Sequence, residues 1–344
     1  MALHKLLIGT YTHREPDGSR REAEGIYWAE FDDATGAFRC LSLATQSASP
    51  AFLARHGDRL YAVNEVEEGA VSAFRLADGR IQLVAQQSSR GAHPCHIAAT
   101  RHWVAVANYT SGSVALFSPD LEPTDFIEHR GHGPNTRRQQ RPHAHQVLIA
   151  SDQTNVLVPD LGNDHLYCYR IDQHGVAQPD PRRTPIAPGS GPRHAVFHPS
   201  MPVVYLINEL ANTIDVLAFN DSAPKRCLQT VTTLPKEMPE HFAGRSSTAE
   251  LAISANGRHV YGTNRGHDSV ATFSVDAEGM LTSAGHVPAG GEHPRYCCID
   301  PSGGWLIIGN QNTDNVVVYR LHDGVPVELV CDTHAPTPVC FLFL

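Results

Sequence analysis

The sequence predicts an all-β fold, a seven-bladed β-propeller of four-stranded antiparallel blades closed into a ring by its two chain ends. Three observations carry this. Short runs of Val, Ile, Tyr and Phe recur between turn signals, while long helical periodicity is scarce. A unit of strand, tight polar turn, second strand ending near Asn, loop and third alternating strand repeats along the chain. Between Pro50 and Pro338 it recurs every ~48 residues, the period of a propeller blade. Finally, the chain ends are complementary halves of one unit, where an open solenoid would need capping repeats.

Each element follows from this frame. KLLIGTYT (5–12) and GIYWAEFD (25–32) supply strands of a first blade that lacks its opening strand, with Thr10 where later units carry Asn. SPAFLARHGDRLYAVNEVEEGAVSAFRL from Ser49 is a full unit, and HPCHIAATRHWVAVANYTSGSVALFSPD from His93 repeats it. The next unit opens at Pro142, after a long connection from Glu122 to His145 that carries Arg130, Arg137, Arg138 and Arg141. A long segment without a strand pattern is expected to cap the mouth of the ring; its plainer reading is a solvated basic loop. GPRHAVFHPSMPVVYLINELANTIDVLAF from Gly191, TAELAISANGRHVYGTNRGHDSVATFSVD from Thr248 and HPRYCCIDPSGGWLIIGNQNTDNVVVYRL from His293 continue the series. TPVCFLFL (337–344) is a lone first strand that completes the N-terminal blade and removes open edges. Residues 1–344 are therefore expected to form one domain.

Composition narrows the function. A net charge of −9 over 344 residues disfavours a nucleic-acid partner or an anionic membrane surface. No apolar run approaches the roughly 18 residues that span a bilayer, and MALHKLLIGTYT runs into a strand rather than reading as a leader. Eight Cys lie without a CxxC pair, several inside β-branched runs, which suits reduced, buried thiols and a cytoplasmic protein. GxGxxG, Walker A and GxSxG patterns are absent, and Gly189-Ser190-Gly191 is a loop signal. No cofactor is expected.

Chemistry is sought where the repeat does not dictate the residue. Inner strands line the axial channel, and the loops at one end form its mouth. After the opening position the blades place Cys95-His96, His143-Ala144-His145, Arg193-His194, Ala249-Glu250 and Arg295-Tyr296. After the repeated Asn they place Tyr11, Glu65, Tyr109, Glu209, Arg265 and Gln311, with Asp160 the rough counterpart in the remaining blade. Arg193, Arg265, Arg295, His145, Glu209 and Glu250 are thus expected to converge on one funnel. Guanidiniums there suit a substrate bearing carboxylates or a phosphate; the plainer reading of Arg193 and Glu209 is an interstrand ion pair. Twenty-one His invite a metal, and His143 and His145, two apart, share a strand face. No Cys pair or carboxylate triplet accompanies them, and His129 and His132 sit among Arg, so a neutral His acting as acid or base fits better than a metal ligand.

The stretches IGTY (8–11), LYAVNE (60–65), HGPNTRRQQRPHAHQV (132–147), GPRHAVFHP (191–199), INEL (207–210), SSTAELAIS (246–254) and NRGHDSVATF (264–273) span almost the whole chain. On them the sequence resembles the seven-bladed propeller lactonases, which include propeller-type 6-phosphogluconolactonases and fungal 3-carboxy-cis,cis-muconate lactonizing enzymes. The resemblance implies a catalytic and binding set at His145, Arg193, Glu209 and Arg265. It implies metal-free hydrolysis of 6-phosphoglucono-1,5-lactone to 6-phosphogluconate, a step of the pentose phosphate pathway. His145 or Glu209 would be the base, His145 being favoured by its ordinary pKa; Arg193 would hold the oxyanion and Arg265, with Arg295, the phosphate. His143, His194 and Glu250 are further expected substrate-binding residues. Muconate cycloisomerisation and a non-catalytic scaffold are the alternatives; against the scaffold, none of Trp28, Trp103 and Trp305 precedes Asp as in WD40 repeats. The expected partner is a small anionic lactone, bound by a monomer or weak homodimer.

Overall fold

The structure, a computed structural model, describes residues 2–12, 22–77, 79–178, 182–220, 223–237 and 245–344. Among these, 28 strands form seven four-stranded antiparallel sheets, with no helix. In chain order the strands are β1–β3 (Leu3–Thr10, Gly25–Asp32, Ala37–Gln46), β4–β7 (Leu53–His56, Arg59–Asn64, Ala70–Ala77, Arg80–Ser88) and β8–β11 (Pro94–Ala99, Val104–Asn108, Ser113–Phe117, Pro123–Glu128). There follow β12–β15 (Leu148–Ile149, Asn155–Asp160, His165–Arg170, Arg182–Pro185) and β16–β19 (Pro192–Phe197, Val203–Asn208, Thr213–Asn220, Ala223–Thr232). The last are β20–β23 (Ser247–Ile253, His259–Arg265, Ser269–Val275, Leu281–Pro288), β24–β27 (Pro294–Ile299, Trp305–Asn310, Asn315–His322, Val325–His334) and β28 (Pro338–Phe343). β28 pairs with β1, Ile8 opposite Phe341, so the two chain ends share one sheet as expected.

The core lies between blades rather than within one layer. Successive side chains of a strand point to opposite faces, and both faces of the middle strands are covered. Val104 and Val106 of β9 pack with Tyr61 and Val63 of the preceding blade. Ala105 and Ala107 pack with Val156 and Val158 of the next. That is why these strands read as continuous apolar runs: every residue of Val203–Asn208 and of Trp305–Asn310 is buried. Each large aliphatic side chain sealed this way stabilises the ring by about 1.5–3 kcal/mol.

The repeated Asn has a physical task. Its side-chain amide donates to a backbone carbonyl of the incoming inter-blade connection: Asn64 to Ala48 (2.7 Å), Asn108 to Ser89 (3.0 Å), Asn264 to Thr233 (2.9 Å) and Asn310 to Ala289 (3.0 Å). A buried carbonyl would otherwise go unpaired, so the position is dictated by connectivity and carries no chemistry.

Two sequence expectations need correction. The long connection does not begin at Glu122, because Pro123–Glu128 is the outer strand of its blade; the irregular segment starts at His129. Asp160 does not occupy the mouth position. It stands in the place of the repeated Asn, buried, accepting the backbone N–H groups of His143, Gly162 and Asn163 and pairing with His129 Nδ1 at 2.6 Å. Leu161, whose N–H donates to the His143 carbonyl, is the residue that follows it.

Candidate active site

One backbone device aims the functional side chains. In five blades the residue before the opening proline takes a left-handed φ: Ser49 (39°), His93 (51°), Gly191 (64°), His293 (62°) and Thr337 (42°). For the four that are not glycine this conformation costs on the order of 1–3 kcal/mol. It turns the carbonyl of that residue toward the neighbouring strand end. Four such carbonyls accept the N–H of the residue after the repeated Asn: Ser49 from Glu65 (3.0 Å), His93 from Tyr109 (3.0 Å), Gly191 from Glu209 (2.7 Å) and His293 from Gln311 (3.1 Å). The clasp fixes the backbone from which Glu65, Tyr109, Glu209 and Gln311 reach the axis.

These side chains surround a cavity of about 530 Å³, also walled by His145, Arg265, Arg295 and Arg138. Glu209 is its electrostatic centre. Oε1 accepts from Arg138 Nη2 (2.5 Å); Oε2 accepts from Arg193 Nε (3.1 Å) and faces Arg265 Nη2 (2.8 Å). Arg193 also donates Nη1 to the Ala249 carbonyl (2.6 Å), and Arg265 donates Nη2 to the Thr248 carbonyl (2.7 Å). Burial would raise the Glu209 pKa, but Arg265, Arg193 and Arg138 outweigh it and hold the carboxyl well below the usual range. Glu209 is a permanent anion and a poor base. Burial and the nearby Arg265 and Arg295 pull Arg193 down to about 10, which still leaves it a cation at neutral pH.

Across the cavity Glu65 accepts from the Tyr11 hydroxyl (2.7 Å) and lies 3.9 Å from Arg295, whose guanidinium sits over the Tyr11 ring. Burial pushes Glu65 upward against the pull of Arg295. His145 is buried, its ring edge-on to Tyr109 and to His194 at 5.4 and 5.1 Å. Burial, then Arg193, His194 and Arg295, hold its pKa well below 6.5, so the imidazole is neutral at neutral pH. A neutral imidazole beside a fixed cationic field is free to accept a proton.

Beneath the cavity lies a small void of about 10 Å³, lined by Arg193, His194, Glu250 and His145 among others. Here His194 Nδ1 meets Glu250 Oε1 at 3.0 Å. The sequence-predicted residues thus divide. His145, Glu209, Arg265 and Arg295 wall the mouth cavity; Arg193 lies under it, tied to Glu209. His194 and Glu250 belong to the lower layer, and His143 stacks on Tyr109 (4.4 Å) with Nδ1 at 2.8 Å from the Tyr109 carbonyl, behind the wall. None of these three is among the residues that line the mouth cavity. His93, His293 and Arg138 line it without having been singled out as binding residues. The His-Pro pairs at 93–94 and 293–294, each at the clasp of its blade, were the available signal. Among the described residues no group of three or more His, Cys, Asp or Glu could hold a metal ion.

Comparison with known proteins agrees with this geometry. A family model described as lactonase, 7-bladed beta-propeller, matches residues 5–343. A 6-phosphogluconolactonase of Bacillus subtilis is 32% identical, covering 98% of this chain and 97% of its own. A 6-phosphogluconolactonase of Formosa agariphila is 29% identical over 92% of each chain. The solved periplasmic gluconolactonase of Pseudomonas aeruginosa superposes with a TM-score of 0.89 at 27% identity, covering 100% of this chain and 99% of that one. With a family model spanning nearly its full length, and the Arg–Glu–His mouth in place, the chain belongs to the lactonase family of seven-bladed β-propellers.

Proposed function

We propose that the protein hydrolyses a sugar lactone, with 6-phosphoglucono-1,5-lactone as the first substrate to test. The observation that carries this is an ionised Glu209 that pairs with Arg138 and Arg265 on the cavity wall and with Arg193 beneath it, in a cavity also walled by a neutral His145. His145 takes a proton from water as the oxygen bonds to the lactone carbonyl carbon. Arg265, on the cavity wall, offers N–H groups to the developing oxyanion. Arg193, expected at that task, sits one layer lower and serves by holding Glu209. The tetrahedral intermediate then collapses, the bond from the carbonyl carbon to the ring oxygen breaks, and the His145 proton passes to the departing alkoxide. The product is the open-chain hydroxy acid, and no electrons change hands. Such esters already open slowly in water, so the barrier reduction required is modest.

The reading extends to placement and substrate class. All eight cysteines are free thiols, which supports a reducing, cytoplasmic setting; no helix among the described residues is long and apolar enough to cross a membrane. Acid release from freshly prepared lactone, followed with a pH indicator at neutral pH, tests the activity. Acceleration over spontaneous hydrolysis is expected, and a rate equal to background with folded protein would overturn it. Loss of diene absorbance from a muconate, without lactone hydrolysis, would move the assignment to cycloisomerisation.

A further inference from the structure

We infer that Arg138 is the residue that selects for a charged substituent on the substrate, by exchanging Glu209 for the substrate's anionic group. This rests on the lactone reading above. Three guanidiniums share one carboxylate, but they are not equivalent. The side chains of Arg193 and Arg265 are 3% and 8% exposed, and each has a backbone carbonyl as second anchor. Arg138 is 42% exposed, and its other partner is the Tyr109 hydroxyl at 3.0 Å.

Removing either inner arginine from Glu209 would strand a buried charge, which is strongly unfavourable. Turning Arg138 away takes a donor from Glu209 Oε1 and from the Tyr109 hydroxyl, but it leaves no buried charge without a counter-ion. Glu209 keeps two cations on Oε2, and the departing guanidinium remains in water until it meets a new partner. A planar guanidinium accepts a phosphate or carboxylate in bidentate fashion, so the exchange conserves its hydrogen bonds. Arg138 is therefore the cation of the cluster whose partner can change at least cost.

Its backbone, by contrast, is held. The Asn135 side-chain oxygen accepts the N–H groups of Arg137 and Arg138, both at 3.1 Å. Gln139, fully buried, donates Nε2 to the Leu161 carbonyl and to Asp164, both at 2.8 Å. Asp160 anchors both ends of the segment through His129 and the His143 N–H. Of the four arginines in this loop, Arg138 alone lines the cavity. The loop is a fixed arm carrying one rotatable charged group, and what it presents is a choice between Glu209 and an incoming anion.

The test compares Arg138→Gln and Arg138→Lys with the wild type on phosphorylated and unphosphorylated glucono-1,5-lactone. KM for the phosphorylated lactone is expected to rise about tenfold or more in Arg138→Gln, the loss of one charge-assisted pair, and by several-fold more than KM for the neutral lactone. Arg138→Lys should recover part of the loss. Equal losses on both substrates, or an unchanged KM for the phosphorylated one, would overturn the inference. A second readout does not need turnover: calorimetric binding of 6-phosphogluconate against gluconate. The wild type should prefer the phosphorylated acid and Arg138→Gln should not; a preference that survives the substitution also overturns it. A wild type that binds with this preference yet hydrolyses neither lactone would sink the catalytic reading and leave the Arg138 assignment standing.

Discussion

Glu209 and Glu250 sit on adjoining blades, 3% and 7% exposed, and burial acts on both in the same direction. They end in opposite states. Glu209 meets three guanidiniums and is driven well below the carboxylate range, whereas Glu250 meets His194 and is pushed up to about 7 by burial against a weaker pull from Arg193. The charge of a buried carboxyl is thus set by how many cations reach it, not by its depth. Along the axis this produces two layers. The upper one is ionic and opens on the cavity; in the lower one burial holds His96 and His194 unprotonated and raises Glu250 to about 7. Burial, then Arg193, His194 and Arg295, keep His145 unprotonated, while those arginines stay charged.

Breaking the upper layer should have the largest effect. Glu209→Gln removes the counter-charge from Arg193 and Arg265, both buried, and should lower unfolding free energy by about 3–5 kcal/mol. Urea denaturation measures this, and a loss under about 1 kcal/mol would mean that the guanidiniums find other partners and that the layer is not organised by Glu209. Arg265→Ala is the next step down. Glu209 keeps Arg193 and Arg138, so stability should change less, while kcat/KM should drop about 10²–10³-fold with the loss of the wall donor. Equal damage to folding and turnover would say that Arg265 is structural.

The same contrast explains what the sequence could and could not reveal. Seven units were legible because the blades share an apolar middle strand and a tight turn, and four of them use the repeated Asn to satisfy an inter-blade carbonyl. The angular position of each mouth residue followed from its place in the repeat, which is how His145, Glu209, Arg265 and Arg295 were found. Depth along the axis was not legible. Arg193 and His194 are consecutive and both line the lower void, yet Arg193 pairs with Glu209 and His194 with Glu250, and the strand register shifts between Pro192 and His194. The blade opened by the two-residue strand Leu148–Ile149 breaks the register further, so His143 fell behind the Tyr109 wall. Arg138 could be seen as one of four loop cations, but its selection depends on how Asn135 and Gln139 fold the loop.

Smaller effects probe the boundary between the layers. Because His145 is held well below 6.5, lactone hydrolysis should keep its rate as pH falls through 6.5 and lose it only lower. The acid limb of kcat/KM against pH checks this, and a midpoint above 6.5 would mean either another base or a more solvated His145. Glu250→Gln tests the lower layer with the smallest expected change. The folded pKa of about 7 stands above the ordinary 4.5, so the native state keeps a proton that the unfolded chain releases. Wild-type stability therefore carries a term present below pH about 4.5 that is lost as pH rises through about 7, on the order of 3 kcal/mol. The buried His96, His194 and His145 slope the other way, since only the unfolded chain takes up their protons near 6.5. Arg193 and Arg295, the cations facing Glu250, do not titrate in this range. The difference between wild type and Glu250→Gln isolates the carboxyl: the variant should gain on the wild type between pH 5 and 8 in matched denaturant titrations. A difference that is flat with pH would show that Glu250 is already ionised, and the raised carboxyl of the lower layer would have to be abandoned.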